Sequence, residues 1–226
     1  FETGDSHNSE LFAYKALHKS KLKNQTSIAI CALFLLMRIY VNKNNKLKIR
    51  NKYNILIKEY KNLEIPKFLN GTELALGYID GITGNLKNML NWIQEIDDLN
   101  LQASSPFMSM KYVISAFAMV LKKSYIELEV HVEIMLETYL EKRSIFIILF
   151  AYIFDSIAKY NIYGMDSAKK SLQKAIDYAK EDTIIMPFVE LAPHILPIIK
   201  ELKKEDEYAK ILFPKCERFN EIYSQN

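Results

Sequence analysis

The sequence predicts an all-α fold in which antiparallel helix hairpins stack into an α-α superhelix. Half of the 226 residues are hydrophobic, which is enough for a continuous core. Six glycines and six prolines are few for a sheet protein, which needs many tight turns. Apolar residues recur at spacings of three and four along most of the chain, as in helices with one buried face. We therefore expect one superhelical domain over residues 1–226, with closing helices in residues 183–226.

The clearest predicted hairpin spans residues 144–178. Its first half is apolar on nearly every side and must be covered by neighbouring helices all round. Residues 161–164 supply the turn. The second half has a single apolar stripe, which consists of Ala168, Leu172, Ala175 and Ile176. The small alanines of this stripe predict that two helix backbones approach each other closely.

Buried and amphipathic helices alternate before this hairpin. We predict them over residues 9–23, 27–42, 47–60, 72–82, 86–93, 107–122 and 125–141. Thr26 or Ser27 is expected to cap the second helix. A helix is expected to stop near Pro66, because proline lacks the N–H donor and disfavours helix in the residue before it. The predicted inward positions include Leu11, Leu47, Leu90, Trp92, Ile93 and Leu140.

Two closing helices are predicted after the hairpin, over residues 183–202 and 205–223. The first is interrupted by three prolines, Pro187, Pro193 and Pro197.

A recurrence near 40 residues links these elements. The first inward positions of successive amphipathic helices lie 38, 39, 42 and 40 residues apart, at Ser9, Leu47, Leu86, Leu128 and Ala168. Such a recurrence is the signature of an α-solenoid. The spacing of Gly4, Ser9, Ala13 and Ala16 resembles the second half of a tetratricopeptide repeat, although Ala13 stands where an aromatic residue is usual. Armadillo-like or irregular helical stacks remain the alternative.

Charge and cysteine content favour no polyanion partner and no disulfide framework. Thirty basic against 27 acidic residues give a net charge of +3, and the two signs are interspersed. The basic cluster at residues 43–52 fits a nucleic-acid or phosphate contact, but a solvated helix face is the favoured interpretation. Cys31 and Cys216 are interpreted as unpaired thiols in a reducing, cytoplasmic compartment. The longest uncharged stretch, residues 24–37, is too short to span a bilayer, so no membrane partner is expected.

Enzyme motifs are missing from the sequence. It contains no phosphate-binding loop, no glycine-rich dinucleotide motif, no HExxH and no CxxC. His131 and Glu133 are two residues apart on a predicted helix and point in different directions, which argues against a metal pair. The acidic runs at residues 97–98 and 205–207 are expected in a loop and at a helix start, where the helix dipole favours them. We predict no catalytic residue, metal or cofactor in this chain.

Single polar residues inside the apolar helices are the candidates for ligand contact. The inner helices of a solenoid line its groove, so a charge there faces either a ligand or a neighbouring repeat. We select five groove candidates: Arg38, Tyr78, Lys111, Tyr152 and Asp155. Asp80 is a further isolated charge of this kind. The favoured alternative is structural, with ion pairs between repeats and tyrosines packed in the core with a hydrogen-bonded hydroxyl.

Two stretches carry a family resemblance. These are QTSIAICALF at residues 25–34 and AKEDTIIMPFVE at residues 179–190. Together with Ala168, Leu172 and Ala175, they resemble the helical-repeat region of MalT-like regulators, which are large ATP-dependent bacterial transcription activators of the LuxR type. The resemblance extends over essentially the whole chain.

The resemblance implies a sensing role. It implies that this piece binds a small inducer or a regulatory partner protein in its groove and controls self-association. ATP would bind only in an N-terminal module, and DNA would be bound only by a C-terminal helix-turn-helix; neither lies in these 226 residues. Because the chain begins with Phe1 in mid-repeat, we expect it to be part of a longer protein. A general tetratricopeptide-like scaffold for peptides or proteins is the main alternative, and a helical enzyme is a minor one.

Overall fold

The computed structural model describes residues 1–60, 66–89 and 108–225. Within these ranges every regular element is helical and no strand occurs, so the all-α prediction is confirmed. The helices are α1 (Ser6–Leu22), α2 (Thr26–Asn42), α3 (Lys46–Ile55), α4 (Pro66–Ile82), α5 (Met108–Lys122), α6 (Tyr125–Leu140), α7 (Ile145–Ile162), α8 (Met165–Lys180), α9 (Met186–Glu190), α10 (Ala192–Leu202) and α11 (Glu207–Ser224). A π-helical turn, Leu56–Tyr60, continues α3.

The chain divides into two compact units. Unit 1 contains Phe1 and residues 5–111, and unit 2 contains residues 2–4 and 112–226. Helices α1 to α4 belong to unit 1, and helices α6 to α11 belong to unit 2. The single domain over residues 1–226 stays a prediction, and the two units are described separately.

One turn recurs through both units and sets the length of the helices. In the described residues, six helices end in a residue with positive φ, namely Asn24, Asn44, Gly84, Lys123, Arg143 and Thr183. The next residue donates its N–H to the carbonyl five residues back, as Gln25 does to Ser20 at 2.8 Å. This is the Schellman arrangement, which satisfies carbonyls at a helix C-terminus. Successive turns are 20, 40, 39, 20 and 40 residues apart, which matches the predicted recurrence.

Helix α2 is the centre of unit 1. It contacts α1, α3 and α4, and its residues Leu33, Leu36 and Ile39 are fully buried. The sequence predicted this burial from the uninterrupted apolar run. The predicted cap at Thr26 or Ser27 is wrong, because Gln25 precedes the first turn and its side chain makes no capping hydrogen bond.

Three predictions in unit 1 are corrected by the structure. Leu11 is exposed, because Ala13 and Leu17 form the buried row of α1 and Leu11 lies two residues from Ala13, on another side. Leu47 is 71% exposed, since α3 buries no residue before the π turn at its end. Pro66 begins a helix instead of ending one. Proline is tolerated in a first turn, where its missing N–H would have no partner in any case.

The α7–α8 hairpin is the core of unit 2 and confirms its sequence prediction. Ala168, Leu172, Ala175 and Ile176 are all fully buried. Helix α7 packs against both α6 and α8. By length and composition alone α7 could cross a membrane, as the core helix of many folded proteins could, and 61% of its apolar window is buried in the fold.

The remaining corrections concern α6 and the closing helices. Leu140 is exposed, because Tyr139 occupies the buried position at the end of α6. The predicted helix over residues 183–202 divides at Leu191 into α9 and α10, and Pro197 is accommodated inside α10. The predictions for Leu90, Trp92, Ile93 and the loop at residues 97–105 lie outside the described residues.

Candidate ligand site in unit 1

Arg38 lies in an aromatic environment between α2 and α4. Its side chain is only 5% exposed. The guanidinium carbon is 4.7 Å from the centroid of the Phe1 ring, 5.2 Å from that of Tyr78 and 5.6 Å from that of Phe34. The Phe34 and Tyr78 rings also meet edge to face, with centroids 5.2 Å apart. Three ring faces therefore stabilise the planar cation by cation–π attraction.

The sequence explains part of this arrangement. Phe34 and Arg38 are four residues apart on α2, so they share one side of the helix. Tyr78 comes from α4, which packs against α2. The structure thus brings together two of the five predicted groove residues, Arg38 and Tyr78.

Asp80 forms a second polar cluster on α4. Its Oδ1 accepts hydrogen bonds from Asn85 Nδ2 at 3.1 Å and from Asn88 Nδ2 at 3.3 Å. Its Oδ2 accepts from the hydroxyl of Tyr53 at 3.4 Å. The carboxylate is buried among these groups.

Burial raises the pKa of Asp80 to about 6, although the hydrogen bonds from Asn88, Asn85 and Tyr53 oppose the change. The negative charge of Glu73 also raises the pKa of Asp80. The same environment raises the pKa of Tyr53, through burial first and then through the charge of Asp80. Asp80 therefore gains or loses its proton close to pH 6, whereas an ordinary aspartate stays ionised there.

Sequence reasoning missed most of this second cluster. It noted Asp80 as an isolated charge, but not Glu73, Tyr53, Asn85 or Asn88. One signal was available: Glu73 and Asp80 are seven residues apart in an apolar helix and therefore lie on the same side of it. The contact with Tyr53 spans 27 residues of sequence and has no local signal.

Unit 2 gives its two predicted residues, Tyr152 and Asp155, a structural environment. Asp155 is buried and accepts hydrogen bonds from Ser171 Oγ at 2.6 Å and from Lys159 Nζ at 2.7 Å. These partners account for its burial without a ligand. The Tyr152 ring stacks on that of Tyr178, with centroids 5.7 Å apart. The fifth candidate, Lys111, lies on α5 and is half-buried.

The basic cluster at residues 43–52 is partly neutralised. Glu10 receives Lys43 Nζ at 2.5 Å and the Tyr40 hydroxyl at 2.8 Å, and Lys48 Nζ lies 3.7 Å from the same carboxylate. Tyr40 also shares a hydrogen bond with the hydroxyl of Tyr14, at 2.7 Å. These pairs fit the solvated helix face favoured by the sequence better than a nucleic-acid contact.

Histidine and cysteine side chains form no metal centre in the described part of the chain, where no group of three or more potential ligands comes together. His131 Nε2 lies 2.9 Å from the carbonyl of Tyr112, and burial lowers the pKa of this histidine. Both cysteines are free thiols.

The unit 1 site can offer a ligand two kinds of contact. Arg38 offers a planar cation framed by rings, and Asp80 offers a carboxyl group that is a donor or an acceptor according to pH. Both are buried, so a ligand would have to displace a covering group, of which the half-buried ring of Phe1 is one. Comparison of the chain with protein-family models, curated proteins and solved structures gave no match.

Proposed function

We propose that the chain is the effector-sensing and interaction domain of a LuxR-type transcription regulator, built as a tetratricopeptide-like superhelix. It binds a small inducer or a partner protein and couples this event to self-association and transcription control. The resemblance of residues 25–34 and 179–190 to MalT-like repeat regions supports the proposal. The recurrence of the same helix-ending turn at multiples of about 20 residues supports the repeat architecture.

The environment of Arg38 is the observation that carries the sensing role. Buried charges reduce stability unless they are well compensated. Unit 1 nevertheless buries Arg38, Glu73 and Asp80 on two packed helices. Charged groups with perturbed properties cluster at functional sites, because binding requires groups that are ready to interact. The chemistry favours a small ligand with a carboxylate or phosphate for Arg38 and a ring to replace that of Phe1.

The position of α2 provides the route from binding to response. A ligand that displaces Phe1 changes the contacts of Arg38, and α2 packs against α1, α3 and α4. A shift of α2 would therefore alter most of the helix contacts in unit 1. An effector acts in this way when it binds one arrangement of the helices more tightly than another.

A peptide-binding scaffold is the second candidate. The exposed large apolar side chains on amphipathic helices favour it, among them Phe12 on α1 and Leu47 on α3. A scaffold needs such side chains as contacts and does not need a buried arginine.

Thermal-shift measurements with sugars, sugar phosphates, amino acids and short peptides test the proposal. A ligand of the Arg38 site should raise the melting temperature by mass action. Arg38→Lys keeps the charge but loses the planar stacking group, so it should abolish the shift. Lys174→Met, which removes a surface cation lying 5.5 Å from the Tyr152 ring in unit 2, is the matched control and should keep the shift.

Two outcomes would count against the Arg38 site. A shift of the same size in Arg38→Lys and in the native chain would exclude it as the binding site. A shift produced only by peptides, and insensitive to Arg38→Lys, would favour the scaffold.

A further inference from the structure

Helix α6 is apolar on two opposite sides. One side is buried in unit 2 through Leu128, Val132 and Met135. The other side carries Ile126, Val130 and Ile134, which are 73%, 53% and 45% exposed. These three residues are four apart, so they form a continuous row about 12 Å long, which we term the α6 row.

The fold does not require the α6 row. Its side chains project away from the buried side of α6, where polar residues would leave the core unchanged. Isoleucine and valine are also weaker helix formers than lysine or glutamate, so local helix stability does not explain them. Contiguous apolar groups on a surface mark an interaction site more often than isolated ones do.

Acidic side chains border the row. Glu127, Glu133 and Glu137 are exposed, and within the described residues no ion pair or hydrogen bond engages them. Glu129, farther round the helix, instead accepts a hydrogen bond from the Tyr163 hydroxyl at 3.1 Å. Helix α6 contains no lysine or arginine, so its whole length is negatively charged.

A shallow depression opens at the first residue of the row. It has a volume of about 420 Å³ and is lined by Ile126, Tyr125, Ile162 and Glu127, with Lys123 and Ser124 at the preceding turn. Aliphatic and aromatic walls next to an exposed apolar row provide a place for one large side chain of a partner. The apolar surface available to a partner therefore extends beyond the helix itself.

We propose that the α6 row and its bordering glutamates bind a positively charged amphipathic helix of a partner protein. The apolar side of such a helix, with residues at spacings of three and four, would cover the row. Lysines or arginines beside that apolar side would meet Glu127, Glu133 and Glu137, and this complementarity would select the partner. The α6 row lies in unit 2 and the Arg38 site in unit 1, so this proposal goes beyond the proposed function and does not depend on it.

The acidic border argues against two other classes of partner. Anionic lipid surfaces attract basic segments and repel acidic ones. Nucleic acids bind through lysine and arginine contacts to phosphate, which α6 does not contain.

Fluorescence anisotropy with a labelled peptide tests the proposal on the full 226-residue chain. The probe is an 18-residue peptide of leucine and lysine with leucines on one helical side, and its counterpart has glutamate in place of every lysine. We expect saturable binding of the lysine peptide, weakened by salt, and no binding of the glutamate peptide. Glu133→Lys with Glu137→Lys should weaken binding about tenfold or more, and so should Val130→Ser with Ile134→Ser.

A charge-matched variant separates a specific site from general attraction. Glu217 and Glu221 are exposed on α11, so Glu217→Lys with Glu221→Lys makes the same change in net charge away from the α6 row. The proposal requires native binding in this control. Equal loss in the control, or native binding in both α6 variants, would overturn it.

Circular dichroism of each variant should show an unchanged helical spectrum, because all the substituted residues are exposed. Sedimentation velocity supplies a further check. A homodimer that Val130→Ser with Ile134→Ser converts to monomer would assign the α6 row to a second copy of the chain and would also overturn the proposal.

Discussion

Asp80 in unit 1 and Asp206 in unit 2 are both shielded carboxylates, yet their surroundings act in opposite directions. Burial raises the pKa of Asp80 to about 6. Burial also acts on Asp206, but Lys180, the N–H of Ala209 and Gln173 outweigh it and hold the pKa near 2. Asp206 is the N-cap of α11 and accepts from the Ala209 N–H at 2.9 Å.

The difference extends beyond these two residues. Asp155, the buried acid of the α7–α8 hairpin, has close partners in Ser171 and Lys159. Helix α4 of unit 1 buries Thr72, whose hydroxyl has no hydrogen-bond partner among the described residues. At neutral pH, polar groups in the interior of unit 2 stabilise the fold, whereas those in unit 1 reduce its stability. A protein keeps such groups where they serve binding.

The largest expected effect is in the unit 2 hairpin. Leu172 is fully buried between α7 and α8, so Leu172→Ala should lower the free energy of unfolding by about 2–5 kcal/mol through lost burial and a residual cavity. Leu47→Ala in unit 1 is the matched control, and its exposed side chain predicts a change within about 0.5 kcal/mol. Urea denaturation followed by circular dichroism measures both. Similar losses in the two variants would erase the distinction between the hairpin and α3.

Replacement of Asp80 should have the opposite sign. Its pKa in the folded protein is about 6 against an ordinary 3.8, so stability from the protonated form is complete below pH 4 and is lost as the pH rises through 6. Asp80→Asn should therefore stabilise the protein above pH 6, by up to about 3 kcal/mol, and should have little effect below pH 4. Urea denaturation at a series of pH values measures the difference. A loss of stability in Asp80→Asn at pH 7 would show that its hydrogen bonds outweigh its desolvation.

Asp206→Ala should destabilise unit 2 at neutral pH. Loss of the N-cap and of the contact with Lys180 should lower the free energy of unfolding by about 0.5–2 kcal/mol. Because the pKa of Asp206 is lowered to about 2, its contribution is present above pH 4 and fades as the pH falls through 2. Thermal melts at pH 7 and pH 2 should differ accordingly. A deficit of equal size at both pH values would mean that packing, not charge, is responsible.

The smallest expected effect concerns Thr72. Thr72→Val replaces a buried hydroxyl by a methyl group of similar shape, so the protein should become more stable by about 1 kcal/mol. Ser171→Ala in unit 2 is the contrasting variant, since it removes a hydroxyl that donates to Asp155, and it should destabilise. Chemical denaturation of the two variants measures the difference. A loss of stability in Thr72→Val would point to a bound water at this hydroxyl.

The residues show how far the sequence alone could lead. The helices and the buried stripe of α8 follow from the spacing of apolar residues, which is local information. The exposure of Leu11, Leu47 and Leu140 could not be derived, because it depends on which neighbouring helix covers each side.

The candidate site shows the same limit. Arg38 and Tyr78 could be selected because polar residues are conspicuous in apolar helices. The ring of Phe1 and the hydroxyl of Tyr53 could not be selected, because long stretches of chain separate them from their partners. The recurring turn was only partly visible in the sequence, since just one of its six positive-φ residues is glycine.

The regular interval of that turn affects how such a chain can evolve. A segment of about 40 residues cut between two equivalent turns contains one helix pair together with its end caps. Duplication or deletion of such a segment keeps the helix boundaries intact, so proteins of this design can change length in whole pairs. An insertion of two or three residues inside a helix would instead rotate every later side chain away from its neighbour.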